Sequence, residues 1–313
     1  MTYLEVGEWS GRSYPRGAVV VGYNGRNHSR AALTWGVEEA ARRGAQLVVL
    51  FAANYPGMTV EPGSGLFHRE PGALDAAYDV TARGVREALD QRPEVHAVGA
   101  TEVTSPSQAL VEASRDAALV VLGTRGYGRI VGALLGSVAF NVASQAACPV
   151  VVVQEQSVGR SLGPDSRVVV GTDGSAESLA AVMFAADCAA SAPAVLEIVT
   201  CTGGHQVESV DGHELRAAAD RIASSASAQV RSDRPALTVV TRVEDCPAEM
   251  TLIEASSDAG LVVVGTRGRG AFKGMLLGSV SHAVIHGARC TVAVVDVGQP
   301  VAAHRPPHRS ASG

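Results

Sequence analysis

Gly123-Thr-Arg-Gly126-Tyr-Gly-Arg-Ile-Val-Gly-Ala-Leu-Leu-Gly136-Ser137-Val138 returns 142 residues later as Gly265-Thr-Arg-Gly268-Arg-Gly-Ala-Phe-Lys-Gly-Met-Leu-Leu-Gly278-Ser279-Val280. Both copies read glycine, two residues, glycine, nine residues, then Gly-Ser. Each follows a short apolar run, Leu119-Val-Val-Leu122 or Leu261-Val-Val-Val264, and each leads into a segment of helical character. Strand, glycine loop and helix start, in that order, present backbone N–H groups to a phosphate. Glycines at this spacing let the backbone approach a ligand closely and take up positive φ. Ser137 and Ser279 add a hydroxyl at a helix start, where unpaired N–H groups and the helix dipole favour an anion. A lone Gly-x-x-Gly commonly marks no more than a turn, but recurrence of the whole pattern in place favours the phosphate reading.

Working outward, the same order of elements surrounds each loop. Ala18-Val-Val-Val21 reads as a buried strand ending at Gly22-Tyr23-Asn24-Gly25, and Val168-Val-Val-Gly171-Thr172-Asp173-Gly174 is its match, 149 residues on. A helix capped by Ser29 runs to about Arg43 and ends at Gly44 in the left-handed conformation. Leu47-Val-Val-Leu-Phe51 is a second buried strand, and residues 53–73, rich in Gly and Pro, are an irregular loop. A helix over 74–91, a strand over 95–103, a short helix over 109–115, the fourth strand, a helix from Ser137 and a fifth strand over 150–153 complete the first half. Pro93 and Pro235, Glu112 and Glu254, and Cys148 and Cys290 are all 142 apart. The first half therefore carries about seven extra residues, placed in the 53–73 loop.

The expected organisation is a flexible leader over 1–16, one domain over 17–154, a linker over 155–165, a second domain over 166–296 and a disordered tail over 297–313. Repeats of this length are domains rather than solenoid units. Alternating strands and helices with near-continuous Val/Leu/Ile strands imply an α/β fold: a doubly wound, Rossmann-like parallel sheet covered on both faces. Ligands of such sheets bind beyond the carboxyl ends of the strands where the strand order reverses. If the first and fourth strands are neighbours, both polar turns of each half open onto one crevice.

Composition narrows the function. The 313 residues carry a net charge of −5 with no basic block, so non-specific nucleic-acid binding is not indicated. Apolar runs are far shorter than the roughly 20 residues of a membrane span, and the first residues lack a secretory pattern. Five scattered cysteines without Cys-x-x-Cys fit a reduced, cytoplasmic protein with structural thiols. His282-x3-His286 has the spacing of two metal ligands on one helical face, but Phe140 and Ser144 stand at the matching places in the first half, and the pair is read as packing or surface placement. The chain contains no Gly-x-x-x-x-Gly-Lys-Ser/Thr and no Gly-x-Ser-x-Gly.

On these motifs both halves resemble the universal stress protein family in its tandem form, whose ATP-binding members carry Gly-x2-Gly-x9-Gly-Ser/Thr. The resemblance implies a five-stranded parallel sheet with four main helices per half, halves paired through their fifth strands, and ATP along the carboxyl edge, possibly with Mg2+. It assigns Gly123, Gly126, Gly136 and Ser137, and Gly265, Gly268, Gly278 and Ser279, to phosphates and ribose, with Val138 and Val280 following on the helix. The turns contribute Gly22 and Asn24, or Gly171 and Asp173. The second-strand ends, Ala52 and Cys201, fall near adenine. Arg267, with Arg125, Arg129, Arg269 and Lys273, lies where it could neutralise phosphates. Asn24 replaces the family's aspartate in the first half, so the second site is the one expected to bind first. Asp173 is the single carboxylate available for turnover, which implies a nucleotide-gated regulatory protein, an intrachain pseudo-dimer or homodimer, hydrolysing ATP slowly at most. A slow ATP hydrolase or adenylyl-transfer enzyme, and a scaffold with empty loops, are the alternatives. Gly123→Val and Gly265→Val are the tests the sequence suggests.

Overall fold

The computed structural model describes residues 6–8, 14–52, 73–124, 136–157, 162–203, 212–268 and 277–297. The first half contributes β1 (Val6–Glu8), β2 (Val19–Gly22), α1 (Asn27–Arg43), β3 (Leu47–Ala52), α2 (Ala73–Gln91), β4 (Ala97–Glu102), α3 (Pro106–Ala113), β5 (Leu119–Gly123), α4 (Ser137–Gln145) and β6 (Val150–Val153). The second contributes β7 (Arg167–Gly171), α5 (Ala176–Ser191), β8 (Val195–Cys201), α6 (Gly212–Asp233), β9 (Val239–Glu244), α7 (Ala248–Ala255), β10 (Leu261–Gly265), α8 (Ser279–Gly287) and β11 (Thr291–Val295). Leu47 in β3 and Leu196 in β8 keep the 149-residue spacing, whereas Gln91 and Asp233, which close α2 and α6, have the 142-residue spacing. The extra residues of the first half therefore lie between β3 and the end of α2, in the interval that contains residues 53–72, outside the described residues.

All strands join one sheet in the order β1-β4-β3-β2-β5-β6-β11-β10-β7-β8-β9. Within each half the pairing is parallel and the order reverses next to the first strand: β2 lies between β3 and β5, and β7 between β8 and β10. The halves meet where β6 and β11 run antiparallel, with Val152 opposite Val292, Val151 opposite Ala293 and Val150 opposite Val294. Val151 and Ala293 are themselves equivalents, so an approximate twofold axis passes between them, the isologous geometry of a symmetric dimer within one chain.

Strand residues alternate between two cores. Val19, Val21, Val151, Val153, Ala293 and Val295 pack under α1, α2, α5 and α6, and Val20, Val150, Val152, Val292 and Val294 under α3, α4, α7 and α8. Both cores continue across the β6–β11 junction, so the halves share their hydrophobic interior. The leader, expected to be loose, adds β1 to the edge of β4 and buries Tyr14, whose hydroxyl donates to Glu102 Oε1 at 3.0 Å. A three-residue strand is too short for its period to register in a sequence.

Helix ends follow local chemistry. Gly44 closes α1 at φ 59°, as expected. Ser29 does not cap α1: Arg26 holds that place without a side-chain bond. Ser29 Oγ instead sits inside the first turn, accepting from Asn24 N at 3.2 Å and donating to Arg26 O at 2.8 Å. Ser105 caps α3 by accepting from Gln108 N at 3.2 Å, whereas its counterpart before α7 is Pro247, which provides no side-chain cap. Ser105→Ala is expected to cost about 1 kcal/mol and to lower Tm by roughly 2–4 °C, measured by scanning calorimetry.

Candidate functional site

Because β7 and β10 are neighbours, the turn after one and the loop after the other open at the same end of the sheet. Between them lies a cavity of about 390 Å3. The turn supplies Gly171 and Asp173, the glycine loop Gly265, Arg267 and Gly268, the start of α8 Gly278, Ser279 and Val280, and the end of β8 Cys201. Every described second-half residue singled out from the sequence as a nucleotide contact thus lines one space. Thr172, Ser178, Val199, Ala248, Leu252, Val264 and Ser281 line it as well and were missed. Leu252 reaches it because α7 folds back over the strand ends, a tertiary event with no local signal. Ser281 had a faint one, a second serine two places after Gly-Ser where the first half has Ala139.

The turn is braced from within. Asp173 Oδ1 accepts from Ser175 N at 2.9 Å and Ser175 Oγ at 2.6 Å, an Asx turn. Ser175 Oγ then caps α5 by accepting from Ser178 N at 3.3 Å. Positive φ falls on Gly174 (77°) and on its counterpart Gly25 (76°). Among the described loop glycines none uses positive φ: Gly136 and Gly278 lie at −76° and −71°, and neither Gly123, Gly265 nor Gly268 is left-handed. What they provide is closeness. A Cβ on Gly265 would stand 3.0 Å from the backbone carbon of Glu177, and one on Gly123 would stand 2.3 Å from the His28 carbonyl oxygen. The first glycine of each motif therefore lets the helix after the first strand seat against the fourth strand, a packing role that Gly265 combines with its place in the cavity wall. Gly268 is different: a Cβ there would meet the Asp173 carboxylate at 2.6 Å.

At the far side, Gly278 N donates to Thr266 O at 2.7 Å. Ser281 Oγ is shared between Gly265 O at 2.7 Å and Thr266 O at 3.1 Å. The hydroxyl thus clamps the loop carbonyls to the helix and fixes the direction of α8. No side chain caps α8. Its first N–H groups, at Ser279 and Val280, therefore open on the cavity with the positive end of the helix dipole. Arg267 stands at the rim, 3.7 Å from Asp296.

The first half repeats the frame with altered lining. Asn24 Oδ1 accepts from Arg26 N at 3.1 Å, the same turn bond that Asp173 makes. Gly136 N donates to Thr124 O at 2.6 Å and Ser137 and Val138 open α4, again without a side-chain cap. Besides Asn24 for Asp173, six replacements change the lining: Tyr23 for Thr172, Leu50 for Val199, Ala52 for Cys201, Pro106 for Ala248, Leu122 for Val264 and Ala139 for Ser281. Leu122 Cδ2 lies 2.5 Å from where a Cβ on Gly22 would be, so the longer side chain packs directly against the Gly22 backbone. Gly126, with Arg125, Arg129, Arg269 and Lys273, lies outside the described residues.

The two histidines stack on each other with His282 exposed and His286 half-buried. His282 meets Phe140 edge-on across the halves at 5.7 Å between ring centroids, and His286 at 4.5 Å. Burial, and then the neighbouring His282, hold the His286 pKa below its ordinary value. Cys148, Cys188 and Cys290 are buried, and burial pushes the Cys148 thiol up to about 12. No helix among the described residues is long and apolar enough to cross a membrane.

This architecture has known counterparts. The family profile described as "Universal stress protein family" matches twice, over residues 16–154 and 166–296. A universal stress protein of Mycobacterium tuberculosis is 33% identical over 285 residues, covering 88% of this chain and 96% of that relative. The crystal structure of a universal stress protein from Archaeoglobus fulgidus superposes with a TM-score of 0.65 at 19% identity, over 91% of this chain and all of that one. A universal stress protein solved in complex with cAMP matches 42% of this chain and 97% of its own at 30% identity, with a TM-score of 0.35. Two profile matches spanning nearly the whole described fold, and relatives of the same tandem length, place this chain in the universal stress protein family.

Proposed function

We propose that the second half binds an adenine nucleotide, ATP in the first instance, and that the chain works as a nucleotide-gated regulatory protein rather than a fast enzyme. One observation carries the reading: the uncapped N-terminus of α8 faces a cavity of ligand-site size, across from a turn held by Asp173. The residues fit the ligand. The N–H groups of Ser279 and Val280 and the Ser279 hydroxyl suit the phosphates, and Gly268 and Gly278 leave the walls open beside them. Val199, Cys201, Ala248 and Leu252 form an apolar end suited to a purine ring. Asp173 is the one carboxylate among the described lining residues, in place for the ribose or for Mg2+ on the phosphates. Bound nucleotide supplies charge that orders the glycine loop and so shifts the balance of conformers or assemblies. Rapid phosphoryl transfer needs a positioned water or acceptor and a well-held metal. With one carboxylate, already engaged by Ser175, turnover is expected to be slow. A cytoplasmic protein meets ATP at concentrations that suit such a switch.

Isothermal titration with ATP, AMP and cAMP, each with and without Mg2+, tests the reading. ATP is expected to bind in the second half and to raise Tm; absence of both effects overturns it. Asp173→Asn should weaken Mg2+–ATP by roughly 10-fold, about 1.4 kcal/mol, while leaving the turn intact, because Asn24 already makes the same bond in the first half. An unchanged affinity for Mg2+–ATP contradicts the role given to Asp173.

A further inference from the structure

Two cysteines flank the apolar end of this cavity, and the nucleotide reading gives them no task. Cys201 ends β8 and lines the cavity, half-buried; Cys246 follows β9 and is exposed. β8 and β9 run parallel with Cys201 in register with Glu244, two residues before Cys246. The strand ends are laced together: Thr202 N donates to Glu244 O at 3.0 Å, and Thr202 Oγ1 donates to Asp245 Oδ1. Val199 and Cys201 share one face of β8, the face that packs into the core beneath α7. In register with them on β9 lie Arg242 and Glu244, which are joined by an ion pair at 2.7 Å. Cys201 feels both of these charges and the Cys246 thiol, and its thiol bonds the Thr251 side chain. The first half has Ala52 and Thr104 at the two equivalent positions, so the pair belongs to the second cavity alone.

We infer that Cys246 and Cys201 form a peroxide-driven disulfide that narrows the apolar end of the second-half cavity and lowers its affinity for nucleotide. The division of labour follows from exposure. Cys246, open to solvent just ahead of the Pro247 cap of α7, is the thiol a peroxide reaches first. As its thiolate it attacks the peroxide O–O bond, forming an S–O bond and releasing hydroxide, to give a sulfenic acid. The Cys201 thiol then attacks the sulfenic sulfur, and water leaves with the Cys201 proton. In sum two thiols and one hydrogen peroxide give one disulfide and two waters, and a dithiol reductant reverses the bond by exchange. Burial raises the Cys201 pKa, which suits a resolving thiol that waits for an activated partner rather than reacting first. A disulfide holds its two Cβ atoms about 3.8 Å apart. Reaching that spacing draws the segment 245–247, and with it Ala248 at the head of α7, toward Cys201 at the wall where the purine end of a nucleotide would lie.

The gating half of this inference rests on the nucleotide reading, and the experiment separates the two. The full chain is treated with hydrogen peroxide, blocked with an alkylating agent, digested without reduction and mapped by mass spectrometry. A Cys201–Cys246 cross-linked peptide, removed by dithiothreitol, is expected. Cys246→Ser should abolish it, and Cys201→Ala, which copies the first half, should leave a sulfenic acid at Cys246 that dimedone traps. Reduced wild type and Cys246→Ser should bind ATP alike, and oxidation should weaken binding roughly 10-fold in wild type only. Absence of the cross-linked peptide, or cysteines joined between chains instead, overturns the inference. A cross-linked protein that binds ATP as tightly as the reduced one overturns the gate. A protein that forms the bond but binds no ATP in either state overturns the nucleotide reading and leaves the disulfide standing.

Discussion

Glu39→Ala is expected to lower the stability of the whole chain by about 3–5 kcal/mol, the cost of leaving buried charges unpaired. Glu39 lies in α1 with no exposed surface. Its carboxylate receives Arg42 Nη2 at 2.7 Å and Arg43 Nε at 2.6 Å. Arg43 is itself 9% exposed and lies over the Phe184 ring of α5 at 5.7 Å, so the cluster sits where the halves meet. Truncating Glu39 strands both guanidiniums, and Tm should fall by roughly 10 °C. Replacing all three residues with leucine should recover most of that loss, because a packed apolar cluster does the work of a buried ion pair. The effect has a pH signature. Burial raises the Glu39 pKa, but Arg43 and Arg42 together outweigh it and hold the folded-state value below the ordinary 4.5. A depressed folded pKa contributes stability that is complete above the unfolded value and is lost as pH falls through the folded one. The Tm gap between wild type and Glu39→Ala should therefore be constant above about pH 5 and narrow on further acidification. The pseudo-symmetry explains why the cluster is possible at all. Where α1 presents Glu39 and Arg43, the second half has Cys188 and Ala192 at the equivalent places, so the two faces that meet complement each other instead of repeating a buried charge.

Gly268→Val should weaken ATP binding about 100-fold, close to 3 kcal/mol, with little change in the unliganded Tm. Its Cβ would stand 2.6 Å from Asp173 Oδ2 and its methyl groups would occupy the cavity. The side chain thus displaces both the carboxylate and the volume beside the α8 N-terminus. The obstruction is the end of one side chain, not backbone, and the backbone of Gly268 is not left-handed, so the fold tolerates the change. Gly265→Val and Gly123→Val, the substitutions the sequence suggests, are poorer tests. They press on the backbones of Glu177 and His28, and lost binding would be confounded with lost packing. Calorimetric titration beside thermal melts of the same samples checks the claim.

These two predictions show where the sequence was legible. Doubling at 149 and then 142 residues, Val-rich strands and punctuating glycines were enough for the element order, the paired halves and the crevice, because each is written in local pattern. Gly268, Gly278 and Ser279 could be placed because one motif spans them, and Gly171 and Asp173 because the turn after the first strand repeats at a fixed spacing. Roles were harder to read than positions. Gly265 lines the cavity and is also a seat for α5, a second role out of reach of the sequence because only the folded chain brings Glu177 to it. Ser29 looked like a cap and is a brace, because the helix begins two residues earlier. Leu252 and Ala248 came from an element with no motif. The packing of Leu122 against Gly22 is a difference of one methylene from Val264 that shows only once the two are brought together in the fold. The Glu39 cluster was invisible for the same reason: an acidic residue in a helical stretch reads as surface until a second helix covers it.

On this mechanism the second-half cavity is the first to take nucleotide. Cross-linking with a photoreactive azido-ATP at sub-saturating concentration, followed by peptide mapping, addresses it residue by residue. The expected label falls on second-half peptides from the ends of β8 and β10 and the start of α8, exceeds that on the equivalent first-half peptides, and disappears in Gly268→Val. Equal or heavier labelling of the first half, or labelling of the second half that survives Gly268→Val, would contradict it.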